Sequence, residues 1–188
     1  MVGAFFFMLV ATVLYWPTPE IAFLSDNSPV SWLSSAQLWA IAVLSLRMSM
    51  DRSLPLATAA WLCAAMVFLA CDEQFMLHEH WKYGCHQWID ACRYQWVTEL
   101  PILMVGLFGT ATMVWLHHLI ASRAARTVLW SSLAVGVLAI AVDIFAWPTS
   151  LLRLEEALEV IAEALFTGFL LGVPSGVHST NVSLRSNS

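Results

Sequence analysis

The chain has 188 residues, of which 60% are hydrophobic and only 11% are charged, and its formal net charge is −5. Soluble domains carry about 25% charged residues, and the mean hydropathy here is +0.73, so the composition excludes an ordinary soluble domain and predicts an integral membrane protein. Nucleic-acid binding requires a basic surface, and the acidic balance of this chain excludes it.

Six apolar segments follow one another along the chain, and each is near the length of about 20 residues that crosses a hydrocarbon core. Backbone groups in lipid must bond within their own segment, so these segments are predicted to be helices. They cover residues 1–16, 32–50, 54–71, 100–120, 128–147 and 156–173. The sequence therefore predicts an all-α bundle of about six transmembrane helices in one domain, 1–173, followed by a polar tail, 174–188.

The basic residues predict the orientation of this bundle, because cytoplasmic loops of membrane proteins are enriched in lysine and arginine. Placing both termini inside puts five basic residues on the inner side, namely Arg47, Arg52, Arg123, Arg126 and Arg185. Lys82, Arg93 and Arg153 then lie outside, and every acidic residue except Asp51 does too. We predict a multi-pass protein of a bacterial inner membrane with cytoplasmic N- and C-termini.

One long segment, residues 72–99, is predicted to connect two spans on the outer side. Aromatic and cysteine residues recur in it with helical spacing, at Trp81, Cys85, Trp88, Cys92 and Trp96. This periodicity predicts a short amphipathic helix on the outer interface. An irregular loop rich in interfacial aromatic residues is the alternative.

The cysteines of this segment test that helix. A disulfide needs α-carbons within about 7 Å, whereas two helical turns would separate Cys85 from Cys92 by about 10.5 Å. The amphipathic helix and a Cys85–Cys92 bond therefore exclude each other. Pairing of Cys71 with either of them stays open.

Acidic residues and histidines gather at the end of the third segment and the start of the sixth. Ionised carboxylates cannot share a low-dielectric site unless they share protons, pair with bases or bind a cation. The outer basic residues are too few for pairing, and carboxylate with imidazole suits iron, manganese or zinc. The candidate ligands of a divalent metal are Asp72, Glu73, His78, Glu79, Glu156, Glu159 and Glu163.

The spacing of these residues indicates which of them share a helix face. On a continuous helix, Asp72 would share a face with Glu79, and Glu73 would share another with His80. Glu156, Glu159 and Glu163 would form one acidic stripe on the sixth segment. Asp143 and Glu99 are expected at a similar depth. Alternatively, Asp72, Glu73 and Glu79 mark the water boundary of the third segment. Glu155 and Glu99 then interact favourably with the dipole at a helix N-terminus, and Glu159 and Glu163 are protonated and hydrogen-bonded to a neighbouring helix.

His117 and His118 are predicted near the inner end of the fourth span, far from the acidic cluster. Adjacent histidines on a helix point about 100° apart, so a single cation cannot easily use both. They are interpreted as interfacial residues, or as weak candidates for axial ligation of a haem or chlorin by one imidazole.

The stretch from Phe68 to Glu79 contains Asp-Glu, four residues and then His-Glu at a helix end. This motif resembles one found in small polytopic bacterial membrane proteins of unassigned function, in which a later helix opens with paired glutamates, as at Glu155-Glu156 here. The resemblance implies a family and supplies no activity.

Three functions fit these observations. The first is a small accessory subunit packed against protein partners in a larger respiratory or photosynthetic membrane assembly. The second is a membrane-embedded, metal-dependent enzyme that acts on an apolar substrate through the outer carboxylate and histidine cluster. The third is a proton or cation pathway, which only His117 and His118 would continue toward the inner side.

Overall fold

The structure, a computed structural model, describes residues 1–18, 21–24, 28–145 and 149–173. All regular elements in these ranges are helical, which confirms the predicted all-α class for the described part of the chain. The predicted tail, 174–188, lies outside the described residues. The helices are α1 (Val2–Leu14), α2 (Ile21–Leu24), α3 (Pro29–Met50), α4 (Leu56–Phe75), α5 (Leu77–Gly84), α6 (Gln95–Thr98), α7 (Leu100–Leu119), α8 (Arg123–Ile144) and α9 (Thr149–Gly172).

Side-chain caps fix where two of the long helices begin. The hydroxyl of Ser28 accepts the backbone N–H of Ser31 at 3.0 Å, directly before a proline at the first position of α3. Ser122 caps α8 in the same way, accepting the N–H of Ala125 at 3.3 Å. Such caps satisfy backbone donors that have no partner within the helix.

Within the described ranges, four helices, α3, α4, α7 and α8, are long and apolar enough to cross a membrane. This supports the coarser prediction of a multi-pass membrane protein. The count of six spans is not confirmed, because α1 has only 13 residues and the 24-residue helix α9 does not reach the same apolar standard. Helix α9 carries four glutamates, Glu155, Glu156, Glu159 and Glu163, which accounts for the difference.

The long helices pack side by side in the order α4, α3, α9, α8, α7. Helix α3, an inner member of this series, has 44% of its most apolar stretch buried, whereas α7 at one end has 11%. The two end helices, α4 and α7, approach each other much less closely than the neighbouring pairs do. The bundle is therefore an arc with a gap between α4 and α7.

The arc has two chemically different ends. At one end, the α3–α4 and α7–α8 connections and the end of α9 share an apolar core that includes Met48, Leu54, Ile120 and Leu170. Arg126 lies there, and its Nε donates to the carbonyl of Ile120 at 2.7 Å. The carboxylates of α4, α8 and α9 lie toward the opposite end, whereas Asp51 lies at the arginine end and pairs with Arg47 at 3.7 Å.

The segment between α4 and α7 corrects the predicted amphipathic helix. Helix α5 ends at Gly84, and two 3₁₀ turns, Cys85–Gln87 and Asp90–Arg93, replace the continuous helix. Cys85 and Cys92 form a disulfide with α-carbons 5.9 Å apart. A continuous helix would hold them too far apart for the bond, whereas the two turns bring them together. Cys71 is a free thiol, so the alternative pairings are not formed.

Trp81 holds this disulfide-bonded segment against the start of the next helices. Its ring packs on the small core of Cys85, Cys92 and Val97. Its indole N–H donates to the carbonyl of Val97 at 3.0 Å. Residues 77–98 thus form a folded cap at the acidic end of the bundle.

Candidate metal centre

A sharp break in the backbone at Met76 creates the first part of the site. Met76 adopts a left-handed conformation, with φ of 49°, between α4 and α5. The break changes the direction of the chain between the two helices. Asp72 accepts both the backbone N–H of His78 at 2.9 Å and a hydrogen bond from the Nδ1 of His78 at 2.8 Å. The predicted pairs Asp72–Glu79 and Glu73–His80 required a continuous helix, and that prediction is wrong.

The contact with Asp72 has an electrostatic consequence for His78. The hydrogen bond to Asp72 raises the pKa of the His78 imidazole above its ordinary value, against the opposing effect of burial, and the charges of nearby carboxylates add to the rise. Because Nδ1 is occupied by Asp72, Nε2 is the ring atom left for a metal or a substrate. A histidine oriented by a carboxylate in this way is common at metal sites.

Three glutamates from two helices converge inside the arc. Glu73 near the end of α4 and Glu156 and Glu159 of α9 each offer a carboxylate oxygen, and these oxygens all lie within 4.8 Å of one another. Ligands on opposite sides of a metal, each about 2.2 Å from it, are about 4.4 Å apart. Only small side-chain adjustments would therefore bring all three oxygens into one coordination sphere.

Repulsion makes three ionised carboxylates untenable there without a counter-charge. Two unit charges 4.8 Å apart repel by about 3.5 kcal/mol at an effective dielectric constant of about 20. Three such pairs sum to about 10 kcal/mol, comparable to the whole stability of a typical protein. Either protons or a cation must neutralise the cluster.

Glu163 lies one turn further along the same face of α9. Its Oε1 accepts a hydrogen bond from Ser34 of α3 at 2.8 Å. Its Oε2 is buried without a hydrogen-bond partner among the described residues, and the same is true of Oε2 of Glu156. The deepest glutamate is thus fixed by a neighbouring helix, while unpartnered oxygens remain inside the site.

The other predicted ligands divide between this cluster and its border. Asp72 holds His78 and is not one of the three converging carboxylates. Glu79 lies in the first turn of α5, is partly exposed and interacts electrostatically with His78.

A cavity of about 220 Å³ connects the acidic residues with the interior of the arc. Asp72, Glu73, His78, Glu159 and Glu163 all line it. Apolar residues of α7 and α8 and the hydroxyl-bearing Ser132 form the opposite wall, and Ser132 itself donates to the carbonyl of Ala162 at 2.8 Å. The structure therefore brings five of the seven predicted ligands to one partly open cavity.

Glu99 and Asp143 belong to a different cluster. Lys82 of α5 lies 2.8 Å from Asp143 Oδ1, with which it hydrogen-bonds, and 3.2 Å from Glu99 Oε2. Burial by itself would lower the pKa of Lys82, but the attraction of the two carboxylates outweighs it and raises that pKa. This ion-pair cluster joins the cap to α7 and α8, and sequence reasoning did not find it.

His117 and His118 lie at the other end of the bundle, as predicted. Nδ1 of His117 accepts the indole N–H of Trp130 at 3.0 Å, and the two imidazoles contact each other edge to face. Neither histidine lines the cavity described above. The contact with Trp130 explains His117 as a residue that links α7 to α8.

Comparisons with protein-family models, with curated protein sequences and with solved structures gave no match to this chain. The chemistry of the site is therefore the basis on which a function can be proposed.

Proposed function

We propose that this protein is a membrane-embedded, metal-dependent enzyme whose divalent cation is bound by Glu73, Glu156 and Glu159. The observation that carries the proposal is the convergence of three carboxylate oxygens within 4.8 Å inside a helical bundle. A divalent cation would neutralise two of the three charges and use the free oxygen lone pairs at once. Iron, manganese and zinc suit carboxylates with a neighbouring imidazole.

The lysine and arginine side chains of the cap offer no substitute for the cation. Among the described residues, Lys82 is the cationic side chain of the cap that faces the interior, and it is already paired with Glu99 and Asp143. Arg93 of the same segment is exposed and pairs with Asp90. The glutamate cluster is thus left to protons or to a metal.

The proposed reaction class is hydrolysis by metal-activated water. A bound divalent metal lowers the pKa of its water toward neutrality and produces a strong nucleophile. His78 lines the same cavity and is oriented by Asp72, which is the arrangement of a general base held in one tautomer. His78 would accept the proton of the attacking water and return it to the leaving group.

Metal binding tests this function directly. The parent protein, purified in mild detergent and stripped with a chelator, is titrated with Zn²⁺, Mn²⁺ or Fe²⁺, and bound metal is measured by elemental mass spectrometry. We expect one ion per chain. Changes to residues that merely orient a ligand lower metal affinity about 10–100-fold, so Glu159→Gln should reduce affinity by at least that much.

Glu155→Gln is the matched control, because it makes the same chemical change on the same helix outside the three converging carboxylates. It should lose much less metal affinity than Glu159→Gln, because Glu155 acts on Glu156 and Glu159 through its charge and is not one of the three ligands. A parent protein that binds no metal, or binds it equally with and without Glu159, would contradict the proposal.

The accessory-subunit and proton-pathway hypotheses stay predictions. Purification at native expression in mild detergent tests the first, since a subunit should elute with its partners. Cation flux in proteoliposomes tests the second.

A further inference from the structure

A second, larger cavity lies in the gap between α4 and α7, which are the two end helices of the arc. Its volume is about 630 Å³, within the range of about 300–1,000 Å³ that is typical of small-ligand sites. We call it the lateral groove, and its walls are formed by Trp61, Ala64, Ala65, Met104, Gly109 and Met113. Small residues on both facing helices keep it open.

The lateral groove is closed at one end by a contact between its two walls. The indole N–H of Trp61 donates to the hydroxyl of Thr112 at 2.9 Å, and the Trp61 ring packs against Phe108. Asp72, His78 and Pro101 lie at the opposite end. The groove is therefore apolar along its length, and it has one polar end.

The length of the groove matches one leaflet of a bilayer. Trp61 and Asp72 are 11 residues apart on α4, which corresponds to about 16 Å of helix. Thr112 and Pro101 have the same separation on α7. A hydrocarbon core about 30 Å thick allots about 15 Å to each leaflet, so one extended lipid chain fits between the polar end and the Trp61–Thr112 contact.

The groove also leads to the carboxylate cluster. Asp72 and His78 line both the lateral groove and the inner cavity, and Met66 and Gly109 also border both. A chain in the groove would thus place its polar group beside the imidazole of His78 and next to the glutamates.

We propose that the lateral groove binds one hydrocarbon chain of a membrane lipid, with the polar end of that chain at Asp72 and His78. The assignment of this lipid as substrate rests on the proposed function, whereas binding of the chain does not. The substrate class is then a lipid that enters sideways from the leaflet on the Asp72 side of the bundle.

Photo-crosslinking tests chain binding. The purified protein is incubated with phosphatidylcholine that carries a diazirine in a palmitoyl chain, irradiated, and mapped by mass spectrometry. We expect one label per chain, concentrated at Met104 and Met113, in excess over Leu138, which is exposed on α8 outside both cavities. Unlabelled phosphatidylcholine should remove the excess.

Two glycines provide a matched pair of variants. A Cβ at Gly109 or at Gly168 would meet no atom within 4 Å, so both positions accept a larger side chain without a clash at that atom. Gly109 lines the groove and Gly168 lines neither cavity. Gly109→Leu should abolish the excess labelling, and Gly168→Leu should leave it unchanged.

Labelling spread evenly over Leu138 and the groove, or an excess that survives Gly109→Leu, would overturn this proposal. The variant Glu159→Gln separates the two proposals, because it should lose metal and keep the lipid label. A parent protein that labels as expected yet binds no metal would refute the proposed function and leave the chain-binding groove standing.

Discussion

Lys82 is the side chain whose removal should most disturb the junction between cap and bundle. Its ammonium group lies 2.8 Å from Asp143 and 3.2 Å from Glu99, and the three side chains are only 18%, 14% and 7% exposed. Lys82→Met keeps the length and apolar stem of the side chain and removes its charge. Two buried carboxylates are then left without a cation.

The distances set the size of the effect. Unit charges at 2.8 and 3.2 Å attract by about 6 and 5 kcal/mol at an effective dielectric constant of about 20. Most of this attraction compensates for taking the charges out of water, and removing one partner of a buried pair costs about 3–5 kcal/mol. At about 2–4 °C per kcal/mol for a chain of this size, the unfolding midpoint should fall by roughly 6–20 °C.

Thermal unfolding in detergent, followed by circular dichroism, measures this shift. The triple variant Lys82→Met, Glu99→Gln, Asp143→Asn removes all three charges and should recover most of the lost stability, because no unpaired charge remains. Arg93→Met is the control: Arg93 pairs with Asp90 at 3.4 Å, but both side chains are at least 80% exposed, so no measurable change is expected.

A Lys82→Met variant that unfolds at the parent midpoint would contradict the role of Lys82 as a counter-charge. A triple variant as unstable as the single one would also contradict it, because the loss would then come from packing and not from unpaired carboxylates.

Two further predictions concern the cap and its corner. In chelator-treated protein, the raised pKa of His78 means that protonation stabilises the fold; this contribution is complete below about pH 6.5 and is lost as pH rises through the folded-state pKa. Asp72→Asn should therefore destabilise the protein at pH 6 more than at pH 9 in the same unfolding assay, and an equal loss at both values would contradict the electrostatic explanation. Breaking the Cys85–Cys92 bond with Cys85→Ser should lower the unfolding midpoint, since bridging a short loop typically stabilises by about 2–4 kcal/mol. The control is Cys63→Ser, which changes a free thiol. Equal midpoints for the two variants would show that the disulfide contributes nothing.

Much of the helical framework could be predicted from the sequence because lipid imposes simple rules. Apolar runs of about 20 residues with prolines at their ends gave the positions of α3, α4, α7 and α8 within a few residues. The stripe of Glu156, Glu159 and Glu163 follows from helical periodicity, and Glu159 and Glu163 line the inner cavity.

The remaining features depend on a backbone conformation and on long-range contacts that no local sequence pattern predicts. A left-handed methionine at position 76 has no sequence signature, since glycine is the residue expected there. The pairing of Lys82 with Asp143 joins residues 61 positions apart. The hydrogen bond from Ser34 to Glu163 likewise requires knowledge of which helices are neighbours. The aromatic periodicity also gave a wrong prediction for the cap, because two 3₁₀ turns joined by a disulfide replace the amphipathic helix that this spacing indicates.

The corner at Met76 gives Asp72 two tasks at once. One carboxylate caps the first turn of α5 and also orients the imidazole that would accept a proton. A substitution of Asp72 therefore alters both the structure of the corner and its reactivity. Loss of activity in an Asp72 variant would not by itself identify a chemical role. Within this corner, only changes to the ring of His78 can isolate chemistry from shape.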